Sequence, residues 1–211
     1  MKRFRVTLLA VCLLLGWLGY GDLSLLLRNK QPQQLNIAEL EMQQPSQEWL
    51  QIDGGHQDLL QAINMSGTME IDSFLVPLKS SPTSPDIHVW FETRDPQIVE
   101  LLKTYYFQLN SDLDREKFVE QNLDFIYAPR QVIGMTADNK IARSNLEKLK
   151  TLLRELNMQV PDNLVFISEG KEPVALRGYF FVAVALLGLI KVALSFRSRP
   201  APGPAPHPEQ D

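Results

Sequence analysis

Residues 86–93 read Asp-Ile-His-Val-Trp-Phe-Glu-Thr, and this stretch, DIHVWFET, is the clearest strand in the chain. Ile87, Val89 and Phe91 fall on one side of an extended backbone and His88, Trp90 and Glu92 on the other, the period-two alternation of a strand. Just upstream, TMEIDSFLVPLKSS (68–81) repeats the theme with Met69, Ile71, Phe74 and Val76, with a break, and Pro77 and the SSPTSP run end it. Joined by the loop 79–85, the two strands read as a hairpin. Downstream, Asp95-Pro96 supplies an N-cap acceptor followed by a proline at the first helical position. Ile98, Val99, Leu101, Leu102, Tyr105 and Tyr106 then form an apolar stripe at helical spacing.

Working further outward, the segment 35–55 (LNIAELEMQQPSQEWLQIDGG) holds a short helix or strand around Ile37–Met42, a turn at Pro45 and a strand over Glu48–Ile52. Asp53-Gly54-Gly55 reads as a turn, because glycine supplies positive φ angles, and HQDLLQAINMSG (56–67) as a short helix or loop. Towards the C-terminus a second short helix is expected across Leu113–Leu123, and RQVIGMTA (130–137) is a strand. The stretch 142–158 is the strongest helix, with Leu146, Leu149, Leu153 and Leu156 on one face; Pro161 stops it. NLVFIS (163–168) is the final strand. The order β, β, β, α, α, β, α, β predicts an α+β fold: a small, partly open, OB-like β-barrel with inserted helices, with an α+β sandwich as runner-up.

Both ends are apolar. Lys2, Arg3 and Arg5 precede a run from Val6 to Tyr20 that resumes after Asp22 through Leu27. At ~1.5 Å per residue, Phe4 to Leu26 reaches roughly 30 Å, the thickness of a hydrocarbon core. A second run, Gly178 to Phe196, is interrupted only by Lys191. The expected organisation is a cytoplasmic N-terminus (1–4), a transmembrane helix (5–27), an extracytoplasmic α+β domain (28–172), a second transmembrane helix (173–196) and a proline-rich cytoplasmic tail (197–211). The flanking positive charges put both termini in the cytoplasm, which implies an integral protein of the bacterial inner membrane with a periplasmic central domain. In layout the chain resembles membrane proteins that hold an oligonucleotide-binding-like barrel between two spans, such as oxidase assembly factors. Cleavage after Gly19-Tyr20-Gly21 is a competing reading of the N-terminus, countered by the leucines that follow; a lipoprotein signal at Cys12 fails on bulky Val11. Cys12 and Gly16 have small-xxx-small spacing. Asp22 and Lys191 are the ionisable residues of the spans; Asp22 falls near the outer interface with Arg177, and Lys191 snorkels inward.

Composition narrows the function classes. A net charge of −4, with no basic cluster in the central domain, argues against nucleic acid as a partner. The single cysteine, Cys12, lies in the first apolar run, which rules out thiol catalysis, cysteine zinc sites and an internal disulfide in the central domain. His56 and Asp58, beside the glycine turn, are weak candidate metal ligands, with His88 and His207 the remaining histidines. Trp90 and His88 are the candidate partner-binding pair, since a tryptophan on a strand face is a frequent anchor; packing under a helix is the plainer account. Asp112, Asp114 and Glu116 read as a helix start, and Asn64-Met65-Ser66 satisfies a glycosylation sequon. No serine elbow or phosphate loop is present, and no cofactor or catalytic residue is expected. The leading expectation is a doubly anchored, non-enzymatic scaffold, assembly factor or accessory subunit that meets the lipid bilayer and a membrane or periplasmic protein. The alternative is a membrane-tethered hydrolase or ligand-binding domain built around His56, Asp58 and His88.

Overall fold

A computed structural model describes residues 2–64, 72–136, 147, 149–151, 153–155, 161 and 163–197. The chain divides into two compact units, one made of Met1–Leu27 with Val174–Asp211 and the other of Arg28–Pro173.

The central unit is built on seven strands: β1 (Gln33–Asn36), β2 (Trp49–Gln57), β3 (Ile63–Asn64), β4 (Phe74–Lys79), β5 (Val89–Thr93), β6 (Pro129–Thr136) and β7 (Val165–Glu169). β2 pairs with β6, β6 with β7, β7 with β5, β5 with β4, and β4 returns to β2, so five strands close a ring. Closure through β4 and β2 rests on only the register pairs His56–Lys79 and Gln57–Leu78, which leaves the barrel partly open. β5 and β7 run parallel while the other ring pairs are antiparallel, giving a mixed, OB-like barrel. β1 and β3 are added outside the ring, on β2 and β4.

Strand alternation explains two apolar layers. Leu50 and Ile52 of β2, Phe74, Val76 and Leu78 of β4, Val89 and Phe91 of β5, Val132 of β6 and Val165 and Ile167 of β7 share one buried cluster, the barrel interior. The intervening positions Leu75, Trp90 and Phe166 join Leu149, Leu153 and Leu164 in a second cluster. The described residues of 147–155 are helical, so β4, β5 and β7 are covered on both faces. Leu146 and Leu156 of the expected helix, the Met69 and Ile71 half of the expected strand, most of the sequon and the tail with His207 lie outside the described residues.

Two breaks predicted from sequence do not occur. β2 runs straight through Asp53-Gly54-Gly55, where the register with β6 shifts between Ile52 and Gly55 in a bulge. Gly54 has φ +76°, and a Cβ there would sit 2.7 Å from Asn36 Nδ2, so the glycine serves a bulge rather than a turn. Pro77 lies inside β4, opposite Trp90. On its other edge β3 reaches only Leu75 and β2 only Leu78, so the N–H that proline lacks is not required there.

The helices between β5 and β6 cap the barrel. α1 (Lys2–Arg28) and α2 (Ile37–Met42) precede them in the chain; the cap consists of α3 (Pro96–Lys103), a π-helical turn (Thr104–Gln108), α4 (Asp112–Gln121) and α5 (Leu123–Ile126). Asp95 Oδ1 accepts from Gln97 N at 3.0 Å and Pro96 fills the first turn of α3, as the sequence predicts. Ile98 and Leu102 of α3 and Ile126 of α5 point into the barrel cluster.

In the other unit, α1 and α6 (Ala175–Arg197) are each long and apolar enough to cross a membrane. They pack together antiparallel: Asp22 meets Arg177, Gly19 faces Val182, Gly16 faces Ala185 and Cys12 faces Gly188. Large apolar side chains, among them Leu13, Leu14, Trp17, Phe180, Leu187 and Ile190, point outward and are exposed.

Candidate functional site

The polar chemistry of the central unit gathers around the strands next to the helical cap. Arg130 leaves β6 and reaches three elements at once. Its Nη2 donates to both oxygens of Glu169 on β7, at 2.9 and 3.1 Å, and to Asp95 Oδ2 at 3.0 Å, while Nε lies 3.1 Å from Glu169 Oε1. The guanidinium carbon also stands 5.5 Å from the centroid of the Phe91 ring. Burial pushes the Asp95 carboxyl up, but the hydrogen bond and charge of Arg130 and the Gln97 and Ile98 backbone N–H groups outweigh it and hold the carboxyl below its usual range. This constellation ties β5, β6 and β7 to the start of α3. Its donors are spent on structural partners.

A second constellation is buried. Lys79 Nζ lies 2.7 Å from Asp58 Oδ2, both side chains almost fully removed from solvent, and Gln61 Nε2 donates to the same oxygen at 2.9 Å. Asp58 Oδ1 is buried without a hydrogen-bond partner. Above it the Tyr106 hydroxyl reaches the Leu60 and Ala62 carbonyls at 3.3 and 3.2 Å. Burial first, then Tyr105 and Asp58, raise the Tyr106 phenol above its usual value.

The residues singled out from sequence are distributed rather than convergent. His56 Nδ1 lies 3.3 Å from the Tyr127 carbonyl. His88 Nδ1 is 2.7 Å from Asn163 Oδ1, and Asn163 Nδ2 in turn donates to the Leu40 carbonyl. Asp58 is committed to Lys79. Among the described residues, no group of three His, Cys, Asp or Glu side chains is placed to hold a metal ion. Trp90 is 1% exposed, beneath Leu149 and Leu153, so it is a core residue and not an exposed anchor. Ile87 precedes β5 and packs on the Trp90 side, which breaks the alternation expected of it. Asp112 and Asp114 sit in the first turn of α4, where the Ser111 hydroxyl accepts from Asp114 N at 3.1 Å.

What the cap leaves free is apolar. Phe107 is 60% exposed, Leu113 59% and Leu123 50%. A groove of about 630 Å³ runs between α3 and α4, lined by Pro96, Gln97, Glu100, Leu101, Thr104, Phe118 and Asn122. A smaller polar cavity of about 380 Å³ lies by the 44–48 loop, with Arg28, Glu48 and Thr136 on its wall. Asn29 fixes that loop, accepting from Glu48 N and Trp49 N at 3.0 Å and donating to Glu48 Oε2 at 2.7 Å.

No family model, curated protein or solved structure matches this chain.

Sequence reasoning missed Arg130, Glu169 and Lys79. The available signal was modest: a charged residue inside an otherwise apolar strand pattern, which demands a partner when the strand is covered on both faces.

Proposed function

We propose that this chain is a doubly membrane-anchored, extracytoplasmic domain that acts as a scaffold, assembly factor or accessory subunit by binding another membrane or periplasmic protein. The observation that carries the reading is the division of surfaces on α1 and α6. Their small residues face each other, and their large apolar residues face outward, as a helix pair in lipid requires. Lys2, Arg3 and Arg5 before the first apolar run and Arg197 and Arg199 after the second favour cytoplasmic termini in a bacterial inner membrane. The exposed aromatic and leucine side chains of the cap then offer a partner the apolar contact that interface cores use.

The hydrolase or ligand-binding alternative draws on His56, Asp58 and His88, and the commitment of Asp58 to Lys79 weakens it. A transport role for Asp22 is weakened in the same way by Arg177.

Purification of the full chain from native membranes in a mild detergent tests the proposal. Stoichiometric co-purification of a membrane or periplasmic protein, retained by the His56→Ala/His88→Ala double variant, is the expected result. A lone monomer after in-membrane cross-linking contradicts it.

A further inference from the structure

We propose that the groove between α3 and α4 seats an amphipathic helix of the partner protein, one whose apolar stripe is flanked by Lys and Arg. This rests on the partner-binding reading above and names its surface. Three observations converge on it.

The first is shape and chemistry. Leu101, Pro96 and Phe118 supply apolar surface to this open groove, beside the polar Gln97, Glu100, Thr104 and Asn122. Aromatic rings connect it to the surface: Phe118 to Tyr105 at 6.4 Å between centroids, Tyr105 to Tyr106 at 5.0 Å, and Tyr106 to Phe107 at 6.4 Å. A helix laid into a groove through residues at three- and four-residue spacing uses such an apolar seat.

The second is the π-helical turn at Thr104–Gln108, directly after α3. An extra residue per turn departs from the α-helical ladder, and such turns cluster at functional sites. Here it leaves Phe107 60% exposed, while Tyr106 is 37% exposed with its hydroxyl turned in to the Leu60 and Ala62 carbonyls.

The third is charge, and it selects the occupant. From Pro96 to Asp124 the chain carries Glu100, Asp112, Asp114, Glu116, Glu120 and Asp124 against Lys103, Arg115 and Lys117. Arg115, its side chain 42% exposed, donates to the Leu109 carbonyl at 3.2 Å with Asp112 3.8 Å away. With Glu100 in the lining and an excess of carboxylates on the segment that builds it, the groove repels an anionic lipid surface and attracts a basic helix.

The test uses the full chain in phosphatidylcholine nanodiscs and two fluorescent probe peptides of about 18 residues, five helical turns. Both carry the same leucine stripe; one has lysine and the other glutamate at every polar position. Anisotropy titrations should show saturable binding of the Leu/Lys peptide, at least about tenfold tighter than the Leu/Glu peptide. Gln97→Lys and Glu100→Lys, both at exposed positions that line the groove, should each weaken it severalfold while leaving the urea midpoint unchanged. Equal binding of the two peptides, binding that empty discs reproduce, or insensitivity to both substitutions overturns the proposal. So does concentration-dependent dimerisation that Glu100→Lys abolishes, which would assign the groove to a second copy. If peptide selectivity fails while a partner protein still co-purifies, the surface is misassigned and the anchored-scaffold reading stands.

Discussion

Arg177 grips Asp22 with two parallel hydrogen bonds, Nε to Oδ2 at 2.7 Å and Nη2 to Oδ1 at 2.8 Å, pinning the start of α6 to α1 near its C-terminal end. Fork-on-fork geometry of this kind is directional as well as attractive. It also fixes register, because sliding either helix by one turn separates the two groups. An isolated charge is costly on a helix apolar enough to cross a membrane, and each of these neutralises the other. Asp22→Asn should therefore loosen the helix pair, and Asp22→Arg combined with Arg177→Asp should restore it. Thermal unfolding in detergent checks this: Asp22→Arg alone and Arg177→Asp alone should each melt lower than the double exchange. Equal losses in all three would show that the pair is incidental.

The seam below that pair depends on closeness of backbone. A Cβ on Gly19 would stand 2.8 Å from Val182 Cγ2 and 3.0 Å from the Gly178 carbonyl oxygen. Gly19→Val should cost ~1–3 kcal/mol through overpacking, whereas the same change at Gly21, with open space around it, should cost little. Denaturation midpoints of the two variants in one detergent compare them directly.

Lys79 and Asp58 form a buried pair whose value lies in mutual compensation. Lys79→Met alone strands a buried carboxylate and should lose ~3–5 kcal/mol. Adding Asp58→Leu should recover most of that loss. A double variant as unstable as the single one would show that the pair, rather than its burial, holds the closure of β2 on β4.

Acid should weaken the Arg130 constellation in a defined direction. The Asp95 carboxyl titrates below its usual value in the folded state, so its contribution is present above the unfolded pKa and disappears as pH falls through the folded one. Asp95→Asn keeps a capping side chain and removes the charge. The gap in urea midpoint between the native chain and this variant should be constant near neutrality and shrink below about pH 4. A gap that persists unchanged at pH 3 contradicts the assignment.

Much of the barrel was legible because strand periodicity is local. DIHVWFET, RQVIGMTA and NLVFIS each announce a strand, and Asp95-Pro96 announces α3. Where a residue type has two uses, reading fails: Gly54-Gly55 resembles a turn yet forms a bulge, and Pro77 resembles a stop yet fits an unpaired position of β4. Trp90 was open to either assignment because alternation separates two faces without saying which is wet; Leu149 and Leu153 settle that face as dry. Arg130 was invisible for a different reason. Its partners lie 35 and 39 positions away along the chain, and no periodicity encodes a pairing of that range.

Trp90 offers the plainest check of the double-covered sheet. Trp90→Ala should cost ~3–5 kcal/mol by emptying the layer between β5 and the helical residues of 147–155. A surface tryptophan would cost far less, within ~0.5 kcal/mol.

The most direct measurement is side-specific cysteine labelling in intact bacterial cells, in a Cys12→Ala background. Thr83→Cys, in the exposed loop between β4 and β5, should react with a membrane-impermeant maleimide from outside, once the outer membrane is permeabilised. Ser198→Cys should react only after lysis. Protection of Thr83→Cys with labelling of Ser198→Cys would invert the topology, and equal labelling of both would remove the second anchor.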